Sequence, residues 1–392
     1  MEIILKILII SDSFLPEATS SAVHMSELQK YYDMHEFETT VCTSAFGKLD
    51  IGTKHLKRIL QAPNYWKRSN NFILRALGEF LSGIILGLKL RFLIDNKKID
   101  KVIIYSPTIF WALTLRIANL DISKIRLIVR DMFPIWLLKA GILHRSNFSF
   151  VFLNYIAKLQ FDLVGKIYVQ SEADAFLIRK EYSISEDKLF HLKSWYDEME
   201  FELNERIDRF IDPKKKNLLW LGNMGVAQNR DFVLSVLLKA IQQDSSIKIN
   251  LVGLKGHDRS IAESAISNLS EGEKERITLV KYLSHGDCTQ LAMRSTLGVF
   301  ALGEWTTEGN MPGKFITYIM AGLPVFGMFA EKNEMTRVIV QNNLGSCCHR
   351  NCVDTAVIAM IHAAKRTYDR SHFQKYFRFN HSTEAAAKLL ID

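Results

Sequence analysis

The stretch GNMPGKFITYIMAGLPVFG, residues 309–327, decides how the fold is interpreted. A turn rich in glycine and proline is followed by helical apolar spacing, and Leu323–Phe326 is typical of a short buried strand. Lys314 is the single charge of the stretch and falls in the first helical turn. Because helix N-termini favour negative groups, a cation at this position predicts a bound anion.

The same alternation of short apolar strands and helical segments runs outward through the chain. It predicts an α/β fold with parallel sheets and crossover helices. The polar segment 197–216 interrupts the alternation, which restarts at NLLWLGNMG. We therefore predict an N-terminal doubly wound domain over 1–196, a linker over 197–216, a second such domain over 217–375, and a helix over 376–392 that packs on the first domain. Ligands of such sheets bind beyond the carboxyl ends of the strands, so a cleft between two such domains is the expected site.

The charge of the chain is +8 over 392 residues, and it is unevenly distributed. Lys54–Arg91 holds eight lysines and arginines and one acid, Glu79, together with aromatic and aliphatic residues. This combination predicts contact with an anionic membrane surface, and an ordinary solvated basic helix is the alternative. Nucleic acid is not expected as a partner, since the motifs of nucleic-acid-binding modules are missing from the sequence.

Targeting and redox signals point to a cytoplasmic location. No run of 18 uncharged apolar residues is present, and the apolar start is interpreted as a first strand, not as a signal peptide. The five cysteines are expected to be reduced thiols. The cluster CCHRNC, residues 347–352, lacks a second pair of ligands at zinc spacing and is interpreted as structural.

Two loops of the first domain carry candidate site residues. Ser20 and Ser21 precede the first helix, where small residues let a phosphate approach the backbone amides, although either serine also suits a helix cap. Arg130 and Asp131 follow a predicted strand in VRDMFPIW, and a structural ion pair is the alternative there.

The second domain offers a second cation at the start of a helix. Arg230 follows the loop GNMGVAQN, and arginine makes bidentate contacts with phosphate oxygens. Together, Arg230 and Lys314 predict a site for a nucleotide diphosphate. The further residues assigned to this donor side are Gly222, Asn223, Gly225, Gln228, Gly253, Asn310, Met311, Pro312 and Gly313.

Six blocks of the sequence resemble the GT-B glycosyltransferases of family 4. They are KILIISDSFLPEATSSAVHMSELQKYY, VIIYSPTIFWAL, LIVRDMFPIWLLKAGIL, HLKSWYDE, LLWLGNMGVAQNRDF and PGKFITYIMAGLPVFG, and they span nearly the whole chain. The most similar type is the bacterial polysaccharide enzymes, including O-antigen L-fucosamine transferases. The resemblance implies two Rossmann-like domains facing across a cleft, with the acceptor bound by the first and the nucleotide by the second.

The resemblance also implies a reaction. Such enzymes transfer a sugar with retention of configuration and without a metal or other cofactor. The expected donor is a UDP-linked N-acetylated or deoxy hexose, and the expected acceptor is a lipid-linked oligosaccharide of O-antigen or capsule synthesis. The chain would then be a peripheral protein on the inner face of the cytoplasmic membrane.

Roles for individual residues follow from the matched motifs. Lys314 and Arg230 would hold the diphosphate and stabilise the leaving group. Tyr282 and Leu283 would flank the base. Asp131 matches the second residue of a His-Asp pair that faces the sugar, with Arg130 at the histidine position.

The sequence departs from the family pattern at three points. The paired acids of the Glu-x7-Glu motif fall at Gly309 and Thr317, so Glu308 or Glu304 would replace the first acid and Thr317 would face the ribose. Ser20-Ser21 replaces a Gly-Gly pair.

Two alternative functions remain open from the sequence. One is a sugar-nucleotide 2-epimerase that uses His24 and Asp131 as acid and base. The other is an inactive nucleotide-binding scaffold.

Overall fold

The computed structural model divides the chain into two compact units. Unit 1 comprises Met1–Asp197 and Thr383–Asp392, and unit 2 comprises Glu198–Ser382. Each unit contains one parallel sheet flanked by helices, which confirms the predicted α/β class. The residues described are 4–15, 17, 19–45, 59–67, 69, 71–106, 108–139, 141–197, 203–225, 228–303, 311–330, 333–349 and 352–392.

Unit 1 is built on a seven-stranded sheet in the order β3-β2-β1-β4-β5-β6-β7. Its strands are β1 (Lys6–Ser11), β2 (Glu38–Ala45), β3 (Ile59–Pro63), β4 (Lys101–Tyr105), β5 (Ile125–Ile128), β6 (Lys166–Val169) and β7 (Leu189–His191). Its helices are α1 (Ser20–Met34), α2 (Phe72–Leu93), α3 (Trp111–Ala118), α4 (Ile135–Lys139), α5 (Phe148–Asp162), α6 (Glu172–Tyr182) and α15 (Thr383–Ile391).

Helix α15 completes one face of the unit 1 sheet although it comes last in the sequence. Tyr32 donates a hydrogen bond from its hydroxyl to the carbonyl of Ala387 at 2.9 Å. The hydroxyl of Tyr168 donates a hydrogen bond to the carbonyl of Leu389 at 3.0 Å. The buried apolar side chains of α15 share a core cluster with those of α1 and β1, so the helix is an integral part of unit 1.

Unit 2 is built on a six-stranded sheet in the order β10-β9-β8-β11-β12-β13. Its strands are β8 (Lys216–Leu221), β9 (Ile247–Val252), β10 (Ile277–Val280), β11 (Leu297–Ala301), β12 (Val325–Phe329) and β13 (Gly345–His349). Its helices are α7 (Arg230–Gln243), α8 (Gly256–Ser267), α9 (Glu271–Lys274), α10 (His285–Arg294), α11 (Gly313–Met320), α12 (Glu334–Gln341), α13 (Val353–Lys365) and α14 (Arg370–His381).

The strand orders define one topological switch point in each sheet. The order reverses between β1 and β4 in unit 1, and between β8 and β11 in unit 2. Open parallel sheets bind ligands beyond the carboxyl ends of the strands at this point. In unit 2 the loop after β8 begins at Gly222, and α11 is the helix that follows β11. The switch point therefore brings the two cation-bearing segments of the sequence to the same edge.

Several details differ from the sequence expectations. The sequence predicts a linker over 197–216. Within this segment, Glu205–Phe210 forms a 3₁₀ helix that belongs to unit 2, and its side chains Ile207 and Phe210 are buried. The predicted single helix over 376–392 is two helices, α14 and α15, separated at Ser382. Strands β3, β7 and β13 were not predicted, because each is short and carries too little apolar alternation to stand out.

Tyr318 fixes α11 on the switch-point strands. Its fully buried hydroxyl accepts a hydrogen bond from the Leu221 amide at 3.0 Å and lies 3.0 Å and 3.2 Å from the carbonyls of Leu219 and Val299. Gly298 leaves the room for this ring, because a Cβ there would lie 2.5 Å from Cδ2 of Tyr318. The single charge of α11, on Lys314, is thereby held one turn away from this anchor.

We expect Tyr318→Phe to lower the free energy of unfolding by about 1–3 kcal/mol, because the Leu221 amide would lose its buried acceptor. Chemical denaturation measures the change. Tyr282→Phe is the matched control, since Tyr282 is 78% exposed. A Tyr318→Phe protein as stable as wild type would show that the three contacts carry no net stabilisation.

Candidate functional site

Lys314 is the second residue of α11, and its ammonium is buried against β8. The nitrogen Nζ lies 3.8 Å from the centre of the Trp220 ring, a cation–π distance. The Trp220 indole in turn donates to the Gly222 carbonyl at 3.0 Å. Among the described residues, Nζ of Lys314 has no hydrogen-bond partner. The sequence prediction of an unmatched cation in the first turn of this helix agrees with this geometry.

The burial of Lys314 changes its protonation. Removal from water disfavours the ammonium form and lowers the pKa of Lys314 from 10.5 to about 7, and burial is the only cause found among the described residues. Near neutral pH the side chain is therefore divided between its two forms. An arriving anion would favour the charged form and provide the partner that the described residues do not.

Arg230, the first residue of α7, is held by two carboxylates. Its Nη1 donates to Oδ1 of Asp258 at 2.7 Å, and its Nε donates to Oδ1 of Asp231 at 2.9 Å. Asp258 is largely buried and also accepts from Nδ2 of Asn223 at 2.7 Å. The hydrogen bonds from Asn223 and Arg230 lower the pKa of Asp258, so its carboxylate stays ionised. Asp258 thus links the loop after β8 to the starts of α7 and α8.

The glycines of this site occupy backbone conformations that suit them. Gly222 and Gly253 have φ angles of +81° and +85° at the ends of the neighbouring strands β8 and β9. A Cβ on Gly253 would lie 3.3 Å from the Gly222 backbone. Gly225 donates its amide to Oε1 of Gln228 at 3.0 Å. The predicted loop residues therefore form one connected group beside Arg230.

Thr317 is turned into its own helix. Its hydroxyl donates to the Gly313 carbonyl at 3.2 Å, and the residue is 6% exposed. Tyr282 is highly exposed beyond β10, next to Leu283. Met311, Pro312 and Gly313 lead directly into α11. Glu304, Glu308 and Asn310 lie outside the described residues, so the exchange of acids predicted there stays a prediction.

A second group of predicted residues meets at the carboxyl edge of the unit 1 sheet. Arg130 donates to the hydroxyl of Tyr105 at 3.1 Å and to that of Ser194 at 3.0 Å. Its guanidinium carbon lies 5.4 Å and 5.0 Å from the rings of Tyr105 and Trp195. No ion pair with Arg130 is found among the described residues, although its positive charge acts to lower the pKa of Asp131 against the rise caused by burial.

His24 lies beside this arginine and is buried. Its Nδ1 is 3.2 Å from the Tyr105 hydroxyl and 3.4 Å from Nη2 of Arg130. Burial, reinforced by the positive charge of Arg130, lowers the pKa of His24 to about 3. His24 is thus a neutral imidazole at physiological pH. Asp131, next in sequence to Arg130, is exposed.

The two serines at the start of α1, Ser20 and Ser21, are not the residues that cap this helix. Thr19 is the N-cap, accepting from the Ala22 amide at 3.2 Å, so neither Ser20 nor Ser21 caps the helix. The hydroxyl of Ser21 lies 3.1 Å from that of Thr19. Ser20 is the first residue of α1, and its side chain lies outside the described part of the structure.

Four residues near the switch point of unit 1 were not predicted from the sequence as site residues. They are Asp12, Glu17, Lys67 and Glu79. Lys67 donates to both carboxylate oxygens of Glu17, at 2.9 Å and 2.8 Å, and to the backbone carbonyl of Asp12 at 2.5 Å. Oδ1 of Asp12 is buried without a partner among the described residues. Burial raises the pKa of Asp12 and of Glu79. Of these residues, only Asp12 could have been found from the sequence, because it directly follows β1 and ligands bind beyond the carboxyl ends of parallel strands.

Asp258 is the missed residue of the unit 2 cluster. It lies 28 residues beyond Arg230 in α8, a helix that the sequence pattern started later, near Ser260. No motif marks it, and its role depends on a tertiary contact. In unit 2 the structure thus joins Arg230 to the loop after β8 through Asp258, and in unit 1 it joins Arg130 to His24.

Comparisons with known proteins are informative only for the fold. No family model matches the chain. No curated protein matches it either. Solved structures do match over almost the full length. A glycosyltransferase from Rickettsia africae has a TM-score of 0.68 at 13% identity, covering 98% of this chain and 96% of its own.

Two further structures resemble the chain to a similar degree. WaaG, a glycosyltransferase involved in lipopolysaccharide biosynthesis, has a TM-score of 0.63 at 14% identity and covers 99% of both chains. HepE of Anabaena, solved in complex with UDP, has a TM-score of 0.62 at 13% identity and covers 98% of both chains. Together with the two parallel sheets, these similarities show that the chain has the GT-B type of fold predicted from the sequence.

Proposed function

We propose that this protein is a retaining glycosyltransferase that moves a sugar from a nucleotide-sugar donor to a lipid-linked saccharide acceptor. The buried ammonium of Lys314 at the switch point of unit 2, for which the described residues provide no hydrogen-bond partner, carries the proposal. A helix N-terminus with an unmatched cation suits a diphosphate. HepE, a structure of similar fold, was solved with UDP, which supports a nucleotide partner.

The donor site in this proposal is the cluster around Lys314 and Arg230. Lys314 provides charge at the start of α11, and the guanidinium of Arg230, oriented by Asp258, contacts the same diphosphate. Both would stabilise the negative charge that develops on the leaving phosphate. Positioning and charge stabilisation suffice for front-face attack, in which the leaving phosphate accepts the proton of the acceptor hydroxyl. No metal is required by this scheme.

The acceptor side is assigned to the unit 1 cluster of Arg130, His24 and Asp131. The hydroxyl-rich surroundings suit the polar groups of a saccharide. The neutral His24 weighs against the 2-epimerase alternative, because an imidazole with a pKa of about 3 is not in the protonated, imidazolium form near neutral pH and so cannot serve as the general acid. Neither this alternative nor the inactive scaffold is favoured by a particular observation.

The membrane-facing part of the proposal rests on α2. Phe72, Ile73 and Leu77 are exposed on this helix, and Arg75 is exposed among them. Exposed apolar groups beside cations suit an anionic lipid surface. No helix among the described residues is long and apolar enough to span a membrane. A peripheral protein at the inner face of the cytoplasmic membrane, acting in O-antigen or capsule synthesis, is consistent with these features.

A thermal-shift titration with UDP, GDP, ADP and CMP tests the proposal first, because a ligand that binds the native state raises the unfolding temperature. Selective stabilisation by UDP would direct the following transfer assays to UDP-sugars, and selectivity for GDP would direct them to the mannose and fucose series. Transfer of radiolabelled sugar to a lipid-linked acceptor would then establish the reaction. Stabilisation by a nucleotide without transfer to any acceptor would favour the scaffold, and stabilisation by none of the four would contradict the donor site.

Asp258→Ala is expected to weaken binding of the selected nucleotide about tenfold, because Arg230 loses the charged partner that orients it. Titration calorimetry measures the affinity. Asp231→Ala is the matched control, since this carboxylate also bonds Arg230 but is 79% exposed. Tighter binding by Asp258→Ala would mean that Asp258 competes with the diphosphate for Arg230.

A further inference from the structure

Among the residues that the structure describes, no anion compensates the charge on Lys314. Its nitrogen contacts the face of Trp220, and Cε lies 3.9 Å from the position of a Cβ on Gly222. No hydrogen-bond acceptor and no carboxylate within ion-pair distance is found for it among the described residues. An ammonium in such a place costs free energy, whereas a neutral amine costs much less.

Among the described residues, other titratable groups around α11 do not account for the lowered pKa of Lys314. Helices α10 and α14 pack against α11, yet burial is the only cause of the lowered pKa found in the described part of the chain. Trp220 and Gly222, at the end of β8, carry no titratable group. The titratable and charged groups on the two packing helices are His285, Asp287, Cys288, Arg294, Arg370, His372, Lys375, Tyr376, Arg378 and His381.

We infer that Lys314 takes up a proton when the donor diphosphate binds, so that donor binding and protonation of this one side chain are coupled. This inference rests on the proposed function, because it assumes that the diphosphate occupies the start of α11. Binding supplies an anion, which none of the described residues provides for the buried ammonium. The amine, partly neutral in the free protein, becomes fully protonated in the complex, and the proton comes from the buffer.

The coupling predicts a definite pH dependence. With a pKa of about 7 in the free protein and a much higher one in the complex, donor affinity should fall about tenfold from pH 6 to pH 8. The number of protons taken up should rise over the same range, from about 0.1 to about 0.9 per molecule bound. If Lys314 were protonated at every pH in both the free protein and the complex, donor affinity would not change with pH through this residue, and binding would take up no proton.

Titration calorimetry in pairs of buffers with different ionisation enthalpies measures both quantities. UDP-N-acetylglucosamine is the probe if UDP is selected in the thermal-shift panel, and GDP-fucose is the probe if GDP is selected. The diphosphate of either probe is esterified at both ends and has no proton of its own to exchange near neutral pH. The binding heat at pH 6, 7 and 8 then reports protons taken up by the protein.

Variants assign the proton to Lys314. Lys314→Arg keeps the charge at every pH used, so we expect binding without proton uptake and without the pH dependence. Lys314→Met should bind more weakly and also without uptake. His257→Gln, which removes the imidazole adjacent in sequence to Asp258, should retain the wild-type uptake.

The outcomes separate the two proposals. Binding by the wild-type protein with the same affinity at all three pH values, and without buffer-dependent heat, would overturn the coupling but leave the donor site intact. Proton uptake that persists in Lys314→Arg would assign the proton to another group and likewise overturn the inference. Failure of every nucleotide and nucleotide-sugar to bind would overturn the proposed function itself.

Discussion

Replacing Lys314 with alanine is expected to lower the rate of sugar transfer by about 10²–10³-fold, the usual effect of removing one group that stabilises developing charge. The reason is the position of the ammonium, which lies in the first turn of α11 with no partner among the described residues. The leaving diphosphate gains negative charge in the transition state, so most of the loss should appear in kcat. Steady-state assays with the identified donor measure it.

Thr317→Ala is the matched control on the same helix. The Glu-x7-Glu motif of the family that the sequence resembles has an acid at this position, yet the hydroxyl of Thr317 donates to the Gly313 carbonyl inside α11. We therefore expect its removal to change the rate by less than about threefold, equivalent to roughly 0.7 kcal/mol. Near-normal turnover by Lys314→Ala, or a larger loss in Thr317→Ala, would show that the diphosphate is assigned to the wrong residue.

The second large effect concerns stability and its dependence on pH. Lys314→Met is expected to stabilise the free protein below about pH 7, because methionine keeps much of the packing and removes the buried charge. The lowering of the pKa from 10.5 to about 7 corresponds to an upper limit of roughly 5 kcal/mol at about 1.4 kcal/mol per pKa unit. Loss of the contact with Trp220 subtracts about 1–2 kcal/mol from this gain.

The sign of the pH dependence follows from proton counting. Below pH 7 the lysine is protonated in both the folded and the unfolded chain, and the full penalty of burial applies. Between about pH 7 and 10.5 only the unfolded chain holds the proton, so the wild type gains stability relative to the variant as the pH rises. The advantage of Lys314→Met should therefore be largest at pH 6 and shrink steadily towards pH 10.

Thermal and urea unfolding at pH 6, 7, 8 and 9 test this expectation. Lys281→Met is the matched control, since Lys281 is exposed and its replacement should change stability little at any of these pH values. An advantage of Lys314→Met that is constant across the range would mean that packing, and not the buried charge, sets the difference.

The parts of the site that were predictable from sequence are those that depend on local pattern. Arg230 is the first residue of α7, and Lys314 lies in the first turn of α11, as the helical spacing of the sequence indicated. Both helices carry clear apolar periodicity, and glycine or proline marks their approach. The meeting of the two segments also follows from the strand-end rule, because parallel sheets collect such loops at one edge.

The parts that could not be predicted depend on contacts distant in sequence. Asp258 orients Arg230 from another helix, and the rings of Tyr105 and Trp195 enclose Arg130 from two separate segments. No local pattern encodes these pairings. The helix cap could not be identified from the sequence either, because Thr19 and the two serines after it all have suitable hydroxyls, and only backbone geometry distinguishes them.

The place of α15 in unit 1 has a consequence for the synthesis of the protein. Domains generally fold in order as the chain leaves the ribosome, the N-terminal one first. Here the helix that binds Tyr32 and Tyr168 is made only after all of unit 2. The apolar surface that α15 covers on unit 1 therefore stays open through the translation of unit 2. A nascent chain of this kind offers a chaperone binding surface for the whole of that interval, and the first domain to begin folding is the last to finish.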